Sequence, residues 1–538
     1  MSTLTGTRKR LALIAAIMGS FVAGLDATVV NVALPAIESD LGGGLAGQQW
    51  VSNAYLLTLG SLILVGGSLG DLFGERKVFA LGVGGFGVVS LGCALAPSIE
   101  ALIGFRALQG VFGALLTPSA LAIIVNVFSG EERGAAIGTW TAWGGISTVV
   151  GPLVGGYLID AASWRWIFAI NVPFVLATLA LIFTAIPRLE EGRERVRVDW
   201  IGAALCAFGL AGPVFALIQQ PDLGWGSPGV LVPGLGGVAV FAAFLAYERR
   251  IAHPMLELAL FSRRNFAIGN VQTLAMYAGL SILFFFLVLF LQQVSGYTAL
   301  EAGLATLPTT VVMFLLSSRM GRLADRFGPR AFMGGGPLLA ALGLLLTLRL
   351  DADTDYLTEL LPALLVFSLG LSLTVAPLTA TVLADADEHN AGVASGINNA
   401  IARVSGLLGI AALGAVVAAQ FGGAIDDRLA GARLSETGQA RVAQIKDRNL
   451  AVIDPAGLPG VEGLRLVEAS KAASLRAFRV AMGISAALVA LGGIVGAVGI
   501  VNRRRVVEAA GCGGGQLTGA PRDAARERGA EPRVAALR

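Results

Sequence analysis

The stretch "LDATVVNVALP", Leu25 to Pro35, places a carboxylate inside an uninterrupted apolar run. An acid at mid-helix depth in a bilayer costs about 2.5–3.5 kcal/mol on insertion scales, so Asp26 marks a functional site by default. Arg106 in "LIGFRALQGVFGA" (102–114) and Arg403 in "INNAIARVSG" (397–406) share that situation. A carboxyl group near a guanidinium is pulled two ways, since the cation favours the ionised form and burial the neutral one. That is the chemistry of a tunable proton acceptor. If the first apolar run rises from Leu11, Asp26 lies about 22 Å along it; if the fourth descends from Glu100, Arg106 lies about 9 Å along it. In a hydrocarbon core about 30 Å thick the two reach nearly the same level.

The elements that must hold them follow from composition. The 538 residues are 55% hydrophobic and only 14% charged, with mean hydropathy +0.74; soluble domains carry about 25% charged residues. The net charge of +3 is spread over loops and offers no basic surface for nucleic acid. Cys93, Cys206 and Cys512 lack metal or disulfide spacing. No G-x-x-x-x-G-K-[ST] phosphate loop occurs, and no cleavable signal peptide is expected. Apolar spans of this length can only be helices in a bilayer. Fourteen are predicted, near 11–34, 48–70, 78–97, 100–127, 133–159, 165–186, 199–219, 228–247, 266–293, 299–323, 330–350, 358–384, 391–419 and 477–501. Basic clusters at 8–10, 74–77, 193–197, 249–250, 263–264, 321–330 and 502–505 alternate with linkers that hold no Lys or Arg. The positive-inside rule then predicts both termini to be cytoplasmic.

The chain also repeats itself. "GSLGDLFGER" (67–76) echoes "GRLADRFGPR" (321–330), and Pro118 echoes Pro377, each at an interval of about 255 residues. The predicted fold is an all-α polytopic membrane protein of two parallel six-helix bundles plus an inserted helix pair. Its parts are a cytoplasmic N-terminus (1–10), a first bundle (11–187), the pair (199–247), and a second bundle (266–501) holding an extracytoplasmic loop (420–475). A tail (502–538) rich in Gly, Ala, Arg and Pro is expected to be disordered. Parallel repeats with a site between them describe an alternating-access transporter.

These residues resemble the major facilitator superfamily, and within it the fourteen-helix drug:proton antiporter branch of EmrB/QacA type. "GSLGDLFGERK" resembles the loop signature between helices 2 and 3. "LIGFRALQGVFGA" resembles the helix-4 signature with its Arg106, "GPLVGG" (151–156) the helix-5 antiporter signature, and "LDATVVNVALP" the helix-1 signature of the branch. "WVSNAYLL" (50–57), "DWIGAALCAFGL…LGWGSP" (199–228) and "HPMLELALF" (253–261) also look like that branch. The resemblance spans nearly all of 10–501. It implies helices 1 and 4 on a central cavity and Asp26 with Arg106 as the proton-coupling pair.

Asp71 and Arg76, repeated as Asp325 and Arg326, are candidates for a charge-assisted latch at the cytoplasmic face. Gly151, Pro152, Gly155 and Gly156 serve either a bend that favours export or simple close packing. Asn31, Tyr55, Gln109, Trp143, Gln272, Tyr277, Asn398 and Arg403 are candidates for a substrate cavity, aromatic faces suiting lipophilic cations. His253 and His389 fall in cytoplasmic loops. The reading is a proton-coupled exporter of lipophilic, cationic or neutral drugs, antibiotics or secondary metabolites in the cell membrane. It is not an enzyme and needs no cofactor or metal, since the proton gradient supplies the energy. Its partners are the small-molecule substrate, the proton and lipid, with no obligate protein partner. The alternatives are an uptake symporter of the same fold and a non-transporting membrane sensor.

Overall fold

The computed structural model describes residues 6–128, 130–186, 199–252, 254, 256–384, 391–448 and 450–502. Each long apolar run is a helix, because a backbone in hydrocarbon must satisfy its own hydrogen bonds. The helices are α1 (Gly6–Leu41), α2 (Gly44–Phe73), α3 (Glu75–Ala94), α4 (Ile99–Val127), α5 (Gly130–Ala161), the single turn α6 (Trp166–Ala169), α7 (Asn171–Ala185), α8 (Trp200–Leu223) and α9 (Pro228–Glu248). They continue as α10 (Arg264–Gln293), α11 (Ala299–Phe327), α12 (Pro329–Leu346), α13 (Leu361–Ala384), α14 (Ala391–Leu429), α15 (Glu436–Arg448) and α16 (Gly460–Gly499).

Among the described residues, twelve helices are long and apolar enough to cross a membrane, against fourteen predicted spans. The predicted spans outside that twelve correspond to α2 and α5, which are continuous helices of 30 and 32 residues. The predicted helix 165–186 is broken at Ile170 into α6 and α7. The segments 193–197, 385–390 and 503–538, with His253 and His389, lie outside the described residues.

Helices α1–α7 pack among themselves, α2 and α3 on α4, and α5 and α7 on α1. Helices α10–α14 and α16 form a second set, with α13 and α16 on α12 and α14 on α10. The repeat in the sequence recurs in the turns. Gly74 (φ 89°) joins α2 to α3, and Gly328 (φ 92°) joins α11 to α12; glycine takes this left-handed region at no steric cost. Helices α8 and α9 pack on each other, and α8 lies against both α2 and α14.

The segment 420–475, expected as a loop, is mostly helical. Helix α14 runs on to Leu429, α15 follows, and α16 begins at Gly460. Its charged residues fasten these helices to one another. Lys446 pairs with Asp426 at 2.5 Å, and Glu462 of α16 accepts from the Ser435 backbone N–H and hydroxyl, both at 2.9 Å. Ile445, Leu450, Ile453 and Leu466 are buried beneath them.

The two helix sets are closed against each other toward one end. Gln49 of α2 donates to the Ile410 carbonyl of α14 at 2.7 Å, and Gln292 of α10 donates to the Val32 carbonyl of α1 at 3.0 Å. The Asp160 carboxylate at the end of α5 accepts from the Ala299 and Leu300 N–H groups of α11 at 3.2 and 2.9 Å. Beside it, "GPLVGG" packs without side chains in the way. A Cβ on Gly156 would lie 2.5 Å from the Leu300 Cα, and one on Gly303 would lie 2.6 Å from the Pro152 carbonyl oxygen. Backbone-to-backbone approach of this kind is what small residues permit between membrane helices.

Gly156→Leu must therefore push α5 and α11 apart. A cysteine placed at Val32, buried beside this seam, should then react with a maleimide several-fold faster than in the Gly156 background, read by peptide mass mapping. Unchanged labelling would mean that the glycines do not hold the closure.

Candidate functional site

Asp26 and Arg106 meet in the interior of the first helix set. Both are essentially without solvent access, at 0% and 1%, and Arg106 Nη1 donates to Asp26 Oδ2 at 2.5 Å. Helices α4 and α2 approach closely enough for this because Gly110 faces the Tyr55 carbonyl, where a Cβ would lie 2.4 Å away. Arg106 Nε can then donate to the Val51 carbonyl at 3.0 Å. The guanidinium lies over the Tyr55 ring at 4.3 Å and near the Phe168 ring at 5.8 Å, and a desolvated cation on an aromatic face is stabilised by the ring quadrupole.

The second carboxylate oxygen has its own donors. Gln109 Nε2 donates to Asp26 Oδ1 at 3.0 Å and Asn171 Nδ2 to the same atom at 3.4 Å. Gln109 also accepts from Arg106 at 2.7 Å and donates to the Ser90 hydroxyl at 2.9 Å, and Cys93 Sγ reaches its Oε1 at 3.5 Å. Every charge at this site is matched by opposite charge or a dipole, which a buried ion pair requires if it is to persist. Helices α1, α2, α3, α4 and α7 each contribute a polar group to one network. The carboxylate and the guanidinium are thus held by a single network drawn from five helices.

Asp26 and Arg106 lie at one level, as the rise per residue requires, but the pair is enclosed within its own helix set rather than lining a cavity. Tyr55 and Gln109, expected on a substrate cavity, are enclosed with it. Tyr55 carries the guanidinium, and Gln109 bridges the two charges. Ser90 and Asn171 were absent from the expected set. Asn171 has the same signature as Asn31, an amide alone in an apolar run, and could have been found by it.

Elsewhere, Gln272 Nε2 donates to the Met333 carbonyl at 2.5 Å, tying α10 to α12. Asn398 donates to Asn270 Oδ1 and Thr273 Oγ1 at 3.0 and 2.8 Å, tying α14 to α10. Asn31 and Tyr277 are half-buried, and Trp143 is 44% exposed with its ring edge-on to Phe21 at 6.3 Å. Gly151 and Gly155 face Thr28 and Val29 of α1. Arg76 donates to the Phe183 carbonyl at 2.9 Å and stands over the Phe183 ring, on α7. Arg326 is exposed beside the Phe327 ring. The side chains of Asp71 and Asp325, the acidic halves of the expected latches, lie outside the described residues.

Residues 16–410 match the model of the Major Facilitator Superfamily. The chain is 36% identical over 451 residues to the tetracenomycin C resistance and export protein of Streptomyces glaucescens, covering 83% of this chain and 84% of that one. It is 37% identical over 417 residues to a puromycin resistance protein of Streptomyces alboniger, covering 76% and 82%. A bacterial homologue of the human lysosomal transporter Spinster, in an inward-facing conformation, superposes with a TM-score of 0.64 at 17% identity over 91% of this chain and 98% of that one.

Arg106→Ala should lower folding stability by about 3–5 kcal/mol, because it strands a buried carboxylate. The double variant Asp26→Asn/Arg106→Gln should recover much of that loss. Thermal unfolding of purified protein in detergent measures both, and an Arg106→Ala midpoint equal to that of the unmodified chain would contradict the electrostatic account.

Proposed function

The chain belongs to the Major Facilitator Superfamily, and from that membership we propose that it exports lipophilic drugs, antibiotics or secondary metabolites across the cell membrane in exchange for protons. The single observation that carries the coupling is the sealed Asp26–Arg106 pair, a titratable group that cannot change charge without disturbing five helices. Export as the direction of transport is supported by relatives that are resistance and export proteins in Streptomyces.

In the proposed cycle the two helix sets rock about a site between them. The seam at Gln49, Gln292 and Asp160 is the extracytoplasmic closure, and both termini are cytoplasmic, which the distribution of basic residues supports. Protonation of Asp26 from outside frees Arg106 and favours release of the substrate. Loss of the proton inside re-forms the pair and returns the transporter to the closure seen here. One charge moving through a membrane potential supplies about 2.3 kcal/mol per 100 mV. At roughly 150 mV a single proton therefore sustains a gradient on the order of several hundred-fold. No cofactor is needed, and no partner beyond substrate, proton and lipid.

Asp26→Asn keeps the shape and much of the hydrogen bonding of the site but removes the proton. In proteoliposomes with an imposed pH gradient, the unmodified chain should release protons when a lipophilic drug is added. The Asn variant should bind the drug with similar affinity and release none. Drug-dependent proton movement at the unmodified level in Asp26→Asn would remove Asp26 from the coupling role.

A further inference from the structure

Among the described residues, Arg403 is a deep charge that the proposed cycle does not use. It stands on α14 at the seam with α2, where a Cβ on Gly60 would lie 3.3 Å from the Arg403 Cβ. Its side chain is half-buried, and among the described residues it makes no hydrogen bond or ion pair. An arginine at this depth is costly unless something answers its charge.

Among the described residues, no acid is placed to do so. Asp26 is saturated by Arg106, Gln109 and Asn171. The remaining acids on the described membrane-spanning helices stand near helix ends, among them Glu38, Asp40, Glu75, Asp160, Asp222 and Glu301. Asp71 is eleven residues beyond Gly60 on α2, about 16 Å along the axis.

The position lies to one side of the closing contacts. The Gln49 bond to Ile410 is two turns along α14 toward the closed end. In the other direction, Gly67 of α2 faces Pro118 of its own helix set, and Asn399 of α14 is exposed. Arg403 therefore stands on the seam between the two helix sets, against α2 and two turns from the Gln49 contact. A guanidinium binds a carboxylate through two parallel hydrogen bonds and stacks on aromatic planes.

We propose that Arg403 selects substrates bearing an acidic group, a carboxylate or an acidic phenol on an aromatic body. The inference rests on the exporter reading above and adds the charge class of what is exported. A monoanion leaving in exchange for an entering proton moves charge, so its export draws on the membrane potential as well as the pH gradient.

The test uses the full-length chain in detergent and in proteoliposomes, with anthraquinone-2-carboxylate, its neutral carboxamide, and ethidium as probes. The unmodified chain should bind the carboxylate about tenfold or more tightly than the amide, the worth of a single charge-assisted contact. Arg403→Gln should bring the carboxylate down to the level of the amide and leave the amide unchanged, while Arg403→Lys should retain an intermediate preference. Equal loss of all three probes in Arg403→Gln would overturn the inference in favour of a helix-packing role. A preference of the unmodified chain for ethidium or for the amide would also overturn it. Should Arg403→Gln fail to accumulate, the preference of the unmodified chain and of Arg403→Lys decides alone. Proton-coupled export of the amide without any carboxylate preference sinks only this inference, whereas export of none of the three also sinks the exporter reading.

Discussion

An ion pair survives in hydrocarbon only when every lone pair and every N–H of its members is answered, because the interior offers no water to make up the difference. For Asp26 and Arg106, both carboxylate oxygens and the Nε and Nη1 groups are answered within a network drawn from five helices, and the guanidinium face rests on the Tyr55 ring. The close passage of α4 over α2 at Gly110 brings Arg106 to the Val51 carbonyl. Asn171, the first residue of α7, brings that helix in at the same level. Five helices of the first set are thereby joined through one polar network.

The contacts between the two helix sets are of another kind. Inside the first set a buried charge is neutralised by a buried charge, whereas across the seam backbone meets backbone at Gly156 and Gly303, single amides reach single carbonyls, and the exposed Asp160 carboxylate accepts from two backbone N–H groups. Contacts of the second sort are individually weak and collectively geometric, so they can be broken and re-formed without exposing a buried ion. The inserted α8–α9 pair touches the seam from outside through α8, where Trp50 meets Phe215 and Leu407 and Ala411 pack on Val214 and Ile218.

Much of this was legible in the residues. Apolar length located the helices, because in a bilayer there is no alternative to helix. A fixed rise per residue put Asp26 and Arg106 at one depth. Azimuth was not legible. A helix that is apolar all round gives no stripe to say which way Asp26 turns, and the side that faces lipid looks like the side that faces a neighbour. Tyr55 and Gln109 were therefore expected on a cavity and are found against the ion pair. Ser90 and Asn171 escaped notice because neutral residues do not announce themselves against a background of charge. The helices within 420–475 were not legible for the opposite reason, since a solvated helix carrying many charges has the composition of a loop.

Helix α16 is unbroken for 40 residues, Gly460–Gly499, and at 1.5 Å per residue that is about 60 Å, twice the thickness of the hydrocarbon core. Half of it must stand clear of the membrane, braced by α15 and the end of α14. Proteins whose mass lies wholly within a detergent belt present electron microscopy with a nearly featureless ellipsoid. Here the molecule carries its own rigid fiducial, continuous with a transmembrane helix, whose tilt would report the orientation of the second helix set in each particle image.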